Sequence, residues 1–287
     1  MTVGGHVAPP AAAVRDAVTL ALAEDLLPLG DLTAGLIPSD AVGKGNLLTR
    51  QAGVVAGLDC VVETYRQLSS DVVIECCVAD GTEVDEGAVL ASAAGPLAPL
   101  VTGERTALNF IRHLSGIASL TARFVALAAG ASGGHTRILD TRKTTPGLRA
   151  LEKAAVRAGG GFNHRANLSD AVMVKDNHLA GLDIVAAVAK ARAVWPGRPV
   201  FVECDTLAQL ASIVESGADR AMLDNMSPAE VAEGLALVDG RVEVEVTGGV
   251  TLATVAEYAA ARPDFISVGA ITHSAGVLDI GLDLAGF

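Results

Sequence analysis

From residue 136 onward the sequence alternates short apolar runs with helical patterns, and no other feature constrains the fold as tightly. Apolar runs at Thr136–Leu139, Ala171–Val174, Val200–Val202, Arg220–Leu223, Val242–Val246 and Phe265–Val268 are each followed by a helix-like segment. Those segments are Gly147–Ala158, Leu182–Val194, Leu207–Glu215, Pro228–Val238, Leu252–Ala261 and a short stretch near His273. Strands this short, separated by helices of about ten residues, pair in parallel through right-handed crossovers. An open doubly wound sheet and a (β/α) barrel both satisfy the pattern. The strand ends favour the barrel. They read Asp140-Thr141-Arg142-Lys143, Lys175-Asp176, Glu203-Cys204-Asp205, Asp224-Asn225, Thr247-Gly248-Gly249 and Gly269-Ala270. An open sheet gathers functional groups at one switch point, whereas a barrel rim draws them from nearly every strand, with a phosphate site after the last ones. The reading is α/β, an incomplete (β/α) barrel of about six or seven parallel strands.

The N-terminal part differs. Ala11–Asp25 reads as an amphipathic helix, followed by β-like runs at Gly45–Thr49, Val54–Gly57 and Val72–Val78 and turns at Asp80-Gly81, Glu86-Gly87 and Gly95-Pro96. Glu104–Leu114 reads as a helix leading into the barrel. The predicted organisation is an α/β sandwich domain over residues 1–115 and a barrel over 116–287. The last ~10 residues are able to return to the first domain.

With 51% hydrophobic residues the chain can bury a large core, which excludes disorder as its main state. No run reads as a membrane span; the nearest, Leu114–Gly134, is split by Arg123. No signal peptide is read, since Arg15, Asp16, Glu24 and Asp25 come early. Four cysteines (Cys60, Cys76, Cys77, Cys204) lack CxxC spacing and read as reduced, mostly buried thiols of a cytoplasmic protein. A formal charge of −12 argues against nucleic-acid or anionic-membrane partners.

That charge hides a local inversion. Between Arg137 and Asp176 eight basic residues face four acidic ones. Arg149, Lys153 and Arg157 suit a solvated helix face. Arg142, Lys143, Arg165 and Lys175 sit instead at strand ends and in loops, where a small anionic ligand explains them.

The string DTRKTTPGLRALEKAAVRAGGGFNHRANLSDAVMVKDNH, beginning at Asp140, resembles the signature of the quinolinate phosphoribosyltransferase family. GDLT at Gly30, ERTALN at Glu104, LSGIAS at Leu114, LDN at Leu223, TGG at Thr247 and VGAITHS at Val268 follow the same family order, so the likeness covers nearly the whole chain. It implies an α/β sandwich domain followed by an incomplete barrel. It also implies transfer of a phosphoribosyl group from 5-phosphoribosyl-1-pyrophosphate to quinolinate, releasing pyrophosphate and carbon dioxide and giving nicotinate mononucleotide in de novo NAD synthesis.

By the same resemblance Arg142, Arg165 and Lys175 hold the substrate carboxylates, with His164 beside them, because guanidinium forks match carboxylates. Arg105 joins from a partner subunit, in a homodimer with shared active sites. Lys143 meets phosphates, and Thr141 lies in the same binding set. Glu203 and Asp224 meet ribose hydroxyls and a substrate-borne Mg²⁺, which takes one or two carboxylates. Lys143, Lys175, Glu203 and Asp224 are the expected catalytic residues. Thr247, Gly248, Gly249, Gly269 and Ala270 form the 5-phosphate site, with His273 adding a donor. No organic cofactor is implied. The triplet Gly159-Gly160-Gly161 reads as a helix stop and hinge. Ala154 stands where the family usually has Tyr, Val246 where it has Ala, and Thr247 where it has Ser. Two other readings stay open: a Schiff-base barrel enzyme using Lys175, and a non-catalytic binder of sugar phosphates.

Overall fold

The computed structural model describes residues 8–179 and 181–285. In chain order the N-terminal elements are α1 (Ala11–Leu26), β1 (Val42–Thr49), β2 (Gly53–Val54), α2 (Leu58–Leu68), β3 (Val73–Cys76), β4 (Glu83–Val84), β5 (Val89–Pro96) and α3 (Leu97–Ser132). There follow β6 (Arg137–Leu139), α4 (Arg149–Ala158), β7 (Val172–Val174), α5 (Asp176–Leu179), α6 (Ile184–Val194), β8 (Val200–Cys204) and α7 (Leu207–Ser216). The chain ends with β9 (Arg220–Asp224), α8 (Pro228–Val238), β10 (Glu243–Thr247), α9 (Val255–Ala260), β11 (Phe265–Ser267), α10 (Ala270–His273) and β12 (Ile280–Ala285).

The described residues fall into two compact units, one within Met1–Ala122, Thr144–Gly160 and Ile271–Phe287, the other within Arg123–Lys143 and Gly161–Ala270. Residue 115, where the sequence reading closes the first domain, lies inside α3.

The second unit carries six parallel strands in the order β6-β11-β10-β9-β8-β7. The first strand of the series thus pairs with the last, Phe265 to Ser267 aligning with Arg137 to Leu139. This is the order of a ring opened between β6 and β7, and it separates a barrel from a doubly wound sheet. At the opening a single bridge joins Leu139 to Phe162, with Asp140 N–H donating to Phe162 O (3.1 Å) and Phe162 N–H to Ile138 O (2.8 Å). The alternation of each strand sorts its side chains. Val202, Cys204, Ala221, Leu223, Val244 and Val246 are buried on one face, while Glu203, Met222, Asp224, Glu245 and Thr247 occupy the other.

Local signals set the helices. Thr206 and Gln209 form a capping box on α7; Ser227 and Glu230 do so on α8, with Pro228 in its first turn. Asp183 accepts the N–H of Ala186 to cap α6.

In the first unit β12, β1, β5 and β3 form an antiparallel sheet, and β2 pairs with β4. Leu47, Val61, Tyr65, Leu90 and Ile111 are the centre of its core. Helix α2 has no side-chain cap of its own; Asp80 supplies one, its carboxylate accepting the N–H groups of Gly57 (2.8 Å) and Leu58 (3.1 Å). Helix α3 extends the expected Glu104–Leu114 segment at both ends, and by length and apolarity it could cross a membrane. Leu100, Ile111 and Ile117 on it are instead fully buried in the protein. At the end of α4, Gly159 and Gly160 stop the helix, and a side chain at Gly159 would collide with Ala118 of α3.

Two expectations need correction. The Arg149, Lys153 and Arg157 face of α4 is not solvated: Lys153 is buried and the two arginines are half-buried. Cys60 and Cys204 are buried, but Cys76 and Cys77 are exposed, because β3 is an edge strand.

Candidate active site

The strand ends of the second unit surround a cavity of about 590 Å³. Thr141, Arg142 and Lys143 reach it from the end of β6, Met173 and Lys175 from β7, and Glu203 from β8. Met222, Asp224 and Asn225 come from β9, Glu245 and Thr247 to Gly249 from β10, and Ser267 from β11. His164 and Arg165, after the Phe162 bridge, complete the wall.

Its cations are held by backbone and by each other's neighbours. The Thr141 hydroxyl accepts the N–H of Lys143 (3.0 Å), turning the chain at the rim. Arg165 donates through Nη1 to Ala171 O (3.0 Å) and lies 3.2 Å from Met173 Sδ through Nη2. Burial, then the nearby Arg142 charge, lower the Arg165 pKa from its ordinary value, Asp170 opposing. The Arg142 charge beside the part-buried Arg165 makes this wall favourable to an anion. Lys175 is ion-paired with Glu203 across adjacent strand ends.

Asp224 shows the reverse effect. Burial, then the charge of Glu203, raise the Asp224 pKa, while Lys175 and Lys143 oppose the shift. Gly248 has φ +87°, and a side chain there would strike Asn225 and Asp224. Only glycine allows β9 and β10 to end this close together. Asn225, itself at φ 55°, donates its N–H to Thr247 O (2.9 Å) and its amide to Asp224 Oδ2 (3.0 Å).

Beneath lies a buried polar layer. Asp140, fully buried, accepts the N–H of His164 (2.8 Å) and the amide of Asn163 (2.6 Å). His164 Nδ1 accepts the N–H of Arg165 (2.7 Å), and its Nε2 stands 3.3 Å from Glu245 Oε2. Glu245 also accepts from Arg220 Nη1 (2.9 Å) and from the Ser267 hydroxyl. Burial opposes its ionisation, yet His164, Ser267 and Arg220 together hold its pKa below the ordinary value.

Eleven of the residues anticipated from sequence line this cavity: Thr141, Arg142, Lys143, His164, Arg165, Lys175, Glu203, Asp224, Thr247, Gly248 and Gly249. Gly269 and Ala270 follow β11 in the same unit without lining it, and Arg105 and His273 belong to the other unit, both exposed. Ala154 is buried in that unit beside a crevice of about 10 Å³. Sequence reasoning missed Glu245, Ser267, Met173, Met222 and Asn225. The available signal for Glu245 was an acid inside VEVEV, a strand that the barrel buries.

Known proteins agree with this architecture. The family described as quinolinate phosphoribosyl transferase matches through its N-terminal domain over residues 30–115 and its C-terminal domain over residues 117–283. A nicotinate-nucleotide pyrophosphorylase [carboxylating] of Mycobacterium leprae is 39% identical over 286 residues, covering 95% of this chain and 97% of the relative. A probable one of Bacillus subtilis is 39% identical, covering 89% and 88%. The solved nicotinate-nucleotide pyrophosphorylase of Francisella tularensis superposes with a TM-score of 0.92 at 36% identity, covering 96% of this chain and 97% of that one. With both domains matched in order and the cationic cavity at the barrel rim, this chain belongs to the quinolinate phosphoribosyltransferase family of pentosyltransferases.

Proposed function

We propose that this chain transfers the phosphoribosyl group of 5-phosphoribosyl-1-pyrophosphate to quinolinate with decarboxylation, forming nicotinate mononucleotide, pyrophosphate and carbon dioxide. The observation that carries the reading is the convergence of Arg142, Lys143, Arg165 and Lys175 on one cavity of a chain whose net charge is −12. A planar dicarboxylate satisfies Arg142, Arg165 and Lys175. Each charged hydrogen bond contributes about 1.5–3 kcal/mol. Lys143 and the backbone of Thr247, Gly248 and Gly249 suit the phosphates, since glycine permits close approach. The amine of Lys175 is committed to Glu203, which disfavours the reading of Lys175 as a Schiff-base nucleophile.

Glu203 and Asp224 fit a hard cation carried by the second substrate, because burial and the neighbouring Glu203 charge both disfavour the ionised Asp224 carboxylate in the empty cavity. No group of three or more metal-ligating side chains occurs among the described residues, so substrate oxygens and water would complete the shell. Bound there, Mg²⁺ would neutralise charge on the departing pyrophosphate. The protein's own part is alignment: the cations hold the dicarboxylate so that its ring nitrogen is oriented toward the ribosyl carbon. Glycosylation makes that nitrogen cationic; the adjacent ring carbon then holds, as an ylide, the electron pair left by carbon dioxide until a proton from solvent takes the place of the lost carboxylate, so no organic cofactor is needed.

The same reading makes the protein a cytoplasmic homodimer in which Arg105 serves the neighbouring cavity. Its support is an exposed apolar segment that is tied to α3 one turn from Arg105. Leu27, Leu29, Leu32 and Leu36 are all more than 70% exposed. Asp31 ties this segment to α3: its carboxylate accepts the N–H groups of Thr33 and Ala34 and the hydroxyl of Thr102, one turn before Arg105.

Pyrophosphate release with and without quinolinate tests the assignment. Release that requires quinolinate supports it. Borohydride-trappable adducts on Lys175 with a keto substrate, and no quinolinate-dependent release, would favour the Schiff-base alternative.

A further inference from the structure

Glu245 is wholly buried in the middle of β10, and an isolated carboxylate there would cost several kcal/mol. Its partners explain why it is tolerated. Arg220 donates Nη1 to it, is tied to Glu243 through Nε (3.1 Å) and Nη2 (2.8 Å), and lies over the rings of Phe265 (3.8 Å) and Phe201 (4.7 Å). Arg220 is therefore a fixed counter-charge held from several sides.

The other end of Glu245 meets His164. Because Nδ1 of that ring accepts the N–H of Arg165, Nδ1 carries a lone pair, which assigns the ring proton to Nε2, 3.3 Å from Glu245 Oε2 in a close contact short of hydrogen-bond alignment. The ring also stands edge-on to Phe201, with centroids 5.5 Å apart. Asp140 fixes the main chain on the near side by accepting the His164 N–H. The peptide on either side of His164 is thus pinned, and both ring nitrogens are turned to protein groups.

We propose that Glu245 is a positioning residue for carboxylate capture, acting through the His164 ring to hold the main chain of Arg165 at the cavity wall. The proposal rests on the reading of Arg165 as an anchor for quinolinate. His164 then orients the clamp, and Glu245 and Arg220 set its tautomer, in the way an outer ligand sets a metal-bound imidazole.

The amide variant is informative. In Glu245→Gln the side-chain oxygen can still face Arg220 and His164, while the Ser267 hydroxyl turns to accept from the new NH₂. Glu245→Ala removes the acceptor for Arg220 and Ser267 and the carboxylate that faces His164. Steady-state kinetics should show the KM for quinolinate raised between about tenfold and a hundredfold in Glu245→Ala. Substantial recovery is expected in Glu245→Gln, with an unmoved KM for phosphoribosyl pyrophosphate in both. Equal rises for both substrates, or no recovery in the amide variant, would overturn the proposal in favour of a purely structural role.

A second measurement uses the unaltered protein. Nitrogen-15 NMR of histidine-labelled enzyme, with the His164 signal identified by its loss in His164→Asn, should show the Nε2–H tautomer. An Nδ1–H ring would overturn the relay even if Glu245→Ala fails to fold. Should the wild-type protein not turn over quinolinate, the functional reading fails, while the tautomer result still decides the relay.

Discussion

Lys175, at the end of β7, and Glu203, at the end of β8, form an ion pair across neighbouring strands of the barrel. Lys175 remains 42% exposed and Glu203 16%, so the lysine faces the cavity while the acid is the more enclosed partner. A substrate carboxylate entering beside Lys175 would compete for a cation already neutralised, and Glu203 would be released toward ribose or metal. Exchange of partners, rather than creation of new charge, is how such a site avoids a large desolvation cost.

Lys175→Ala should therefore do two separable things. It should lower kcat/KM for quinolinate by about 10–100-fold, the size of one charged hydrogen bond. It should also leave Glu203 without its cation and so raise the pKa of Asp224 further, since Lys175 opposes that shift. Titration of Asp224 by carbon-13 NMR checks the second effect; an unmoved Asp224 would separate the two groups electrostatically.

Arg142→Ala and Arg165→Ala should each abolish quinolinate binding while leaving phosphoribosyl pyrophosphate binding largely intact. Burial is the larger cause of the lowered Arg165 pKa and the Arg142 charge the second, so Arg142→Ala should return the Arg165 guanidinium only part of the way toward its ordinary basicity. Titration calorimetry with each substrate checks the binding; retained quinolinate affinity in both variants would contradict the clamp.

Asp224→Asn should make the unliganded protein more stable at neutral pH and the enzyme worse. Burial and the Glu203 charge raise the folded-state pKa above 3.8, so the folded chain holds a proton that the unfolded chain has released. The ionised form therefore costs stability above the folded-state pKa, and that cost fades as pH falls through it and is gone below 3.8. Melting scans should show a gain at pH 7 that vanishes in acid, kept to a few degrees by solvent screening. The variant should also need more Mg²⁺ for activity. A loss of stability at pH 7, or full activity of the wild type in excess chelator, would contradict the assignment.

Mixing impaired Arg105→Ala and Lys175→Ala subunits should raise the activity above that of either variant alone. A heterodimer with shared sites contains one cavity with both residues intact. With subunit exchange verified, no recovery would mean that Arg105 serves its own chain.

Where a signal was local, the sequence disclosed it. Helix α8 was bounded at Pro228–Val238 because Ser227, Pro228 and Glu230 cap it within four residues. The barrel strands were legible because their apolar runs end in polar groups. Helix α2 was not, since its cap comes from Asp80, more than twenty residues downstream. Strand β12 escaped detection because its partner, β1, lies at the other end of the chain. At the site, the cations of the central motif stood out against an acidic chain. Glu245 did not, because Val-Glu-Val-Glu-Val reads as a strand with one solvated face; Arg220, the counter-charge that buries it, belongs to the neighbouring strand.

The most direct measurement is a single turnover with quinolinate, phosphoribosyl pyrophosphate and isotopically labelled nicotinate present together, with all products counted. Nicotinate mononucleotide, pyrophosphate and carbon dioxide are expected in equal amounts, with no label in the nucleotide. Pyrophosphate without carbon dioxide, or label in the nucleotide comparable to that from quinolinate, would contradict glycosyl transfer to the dicarboxylate at this cavity.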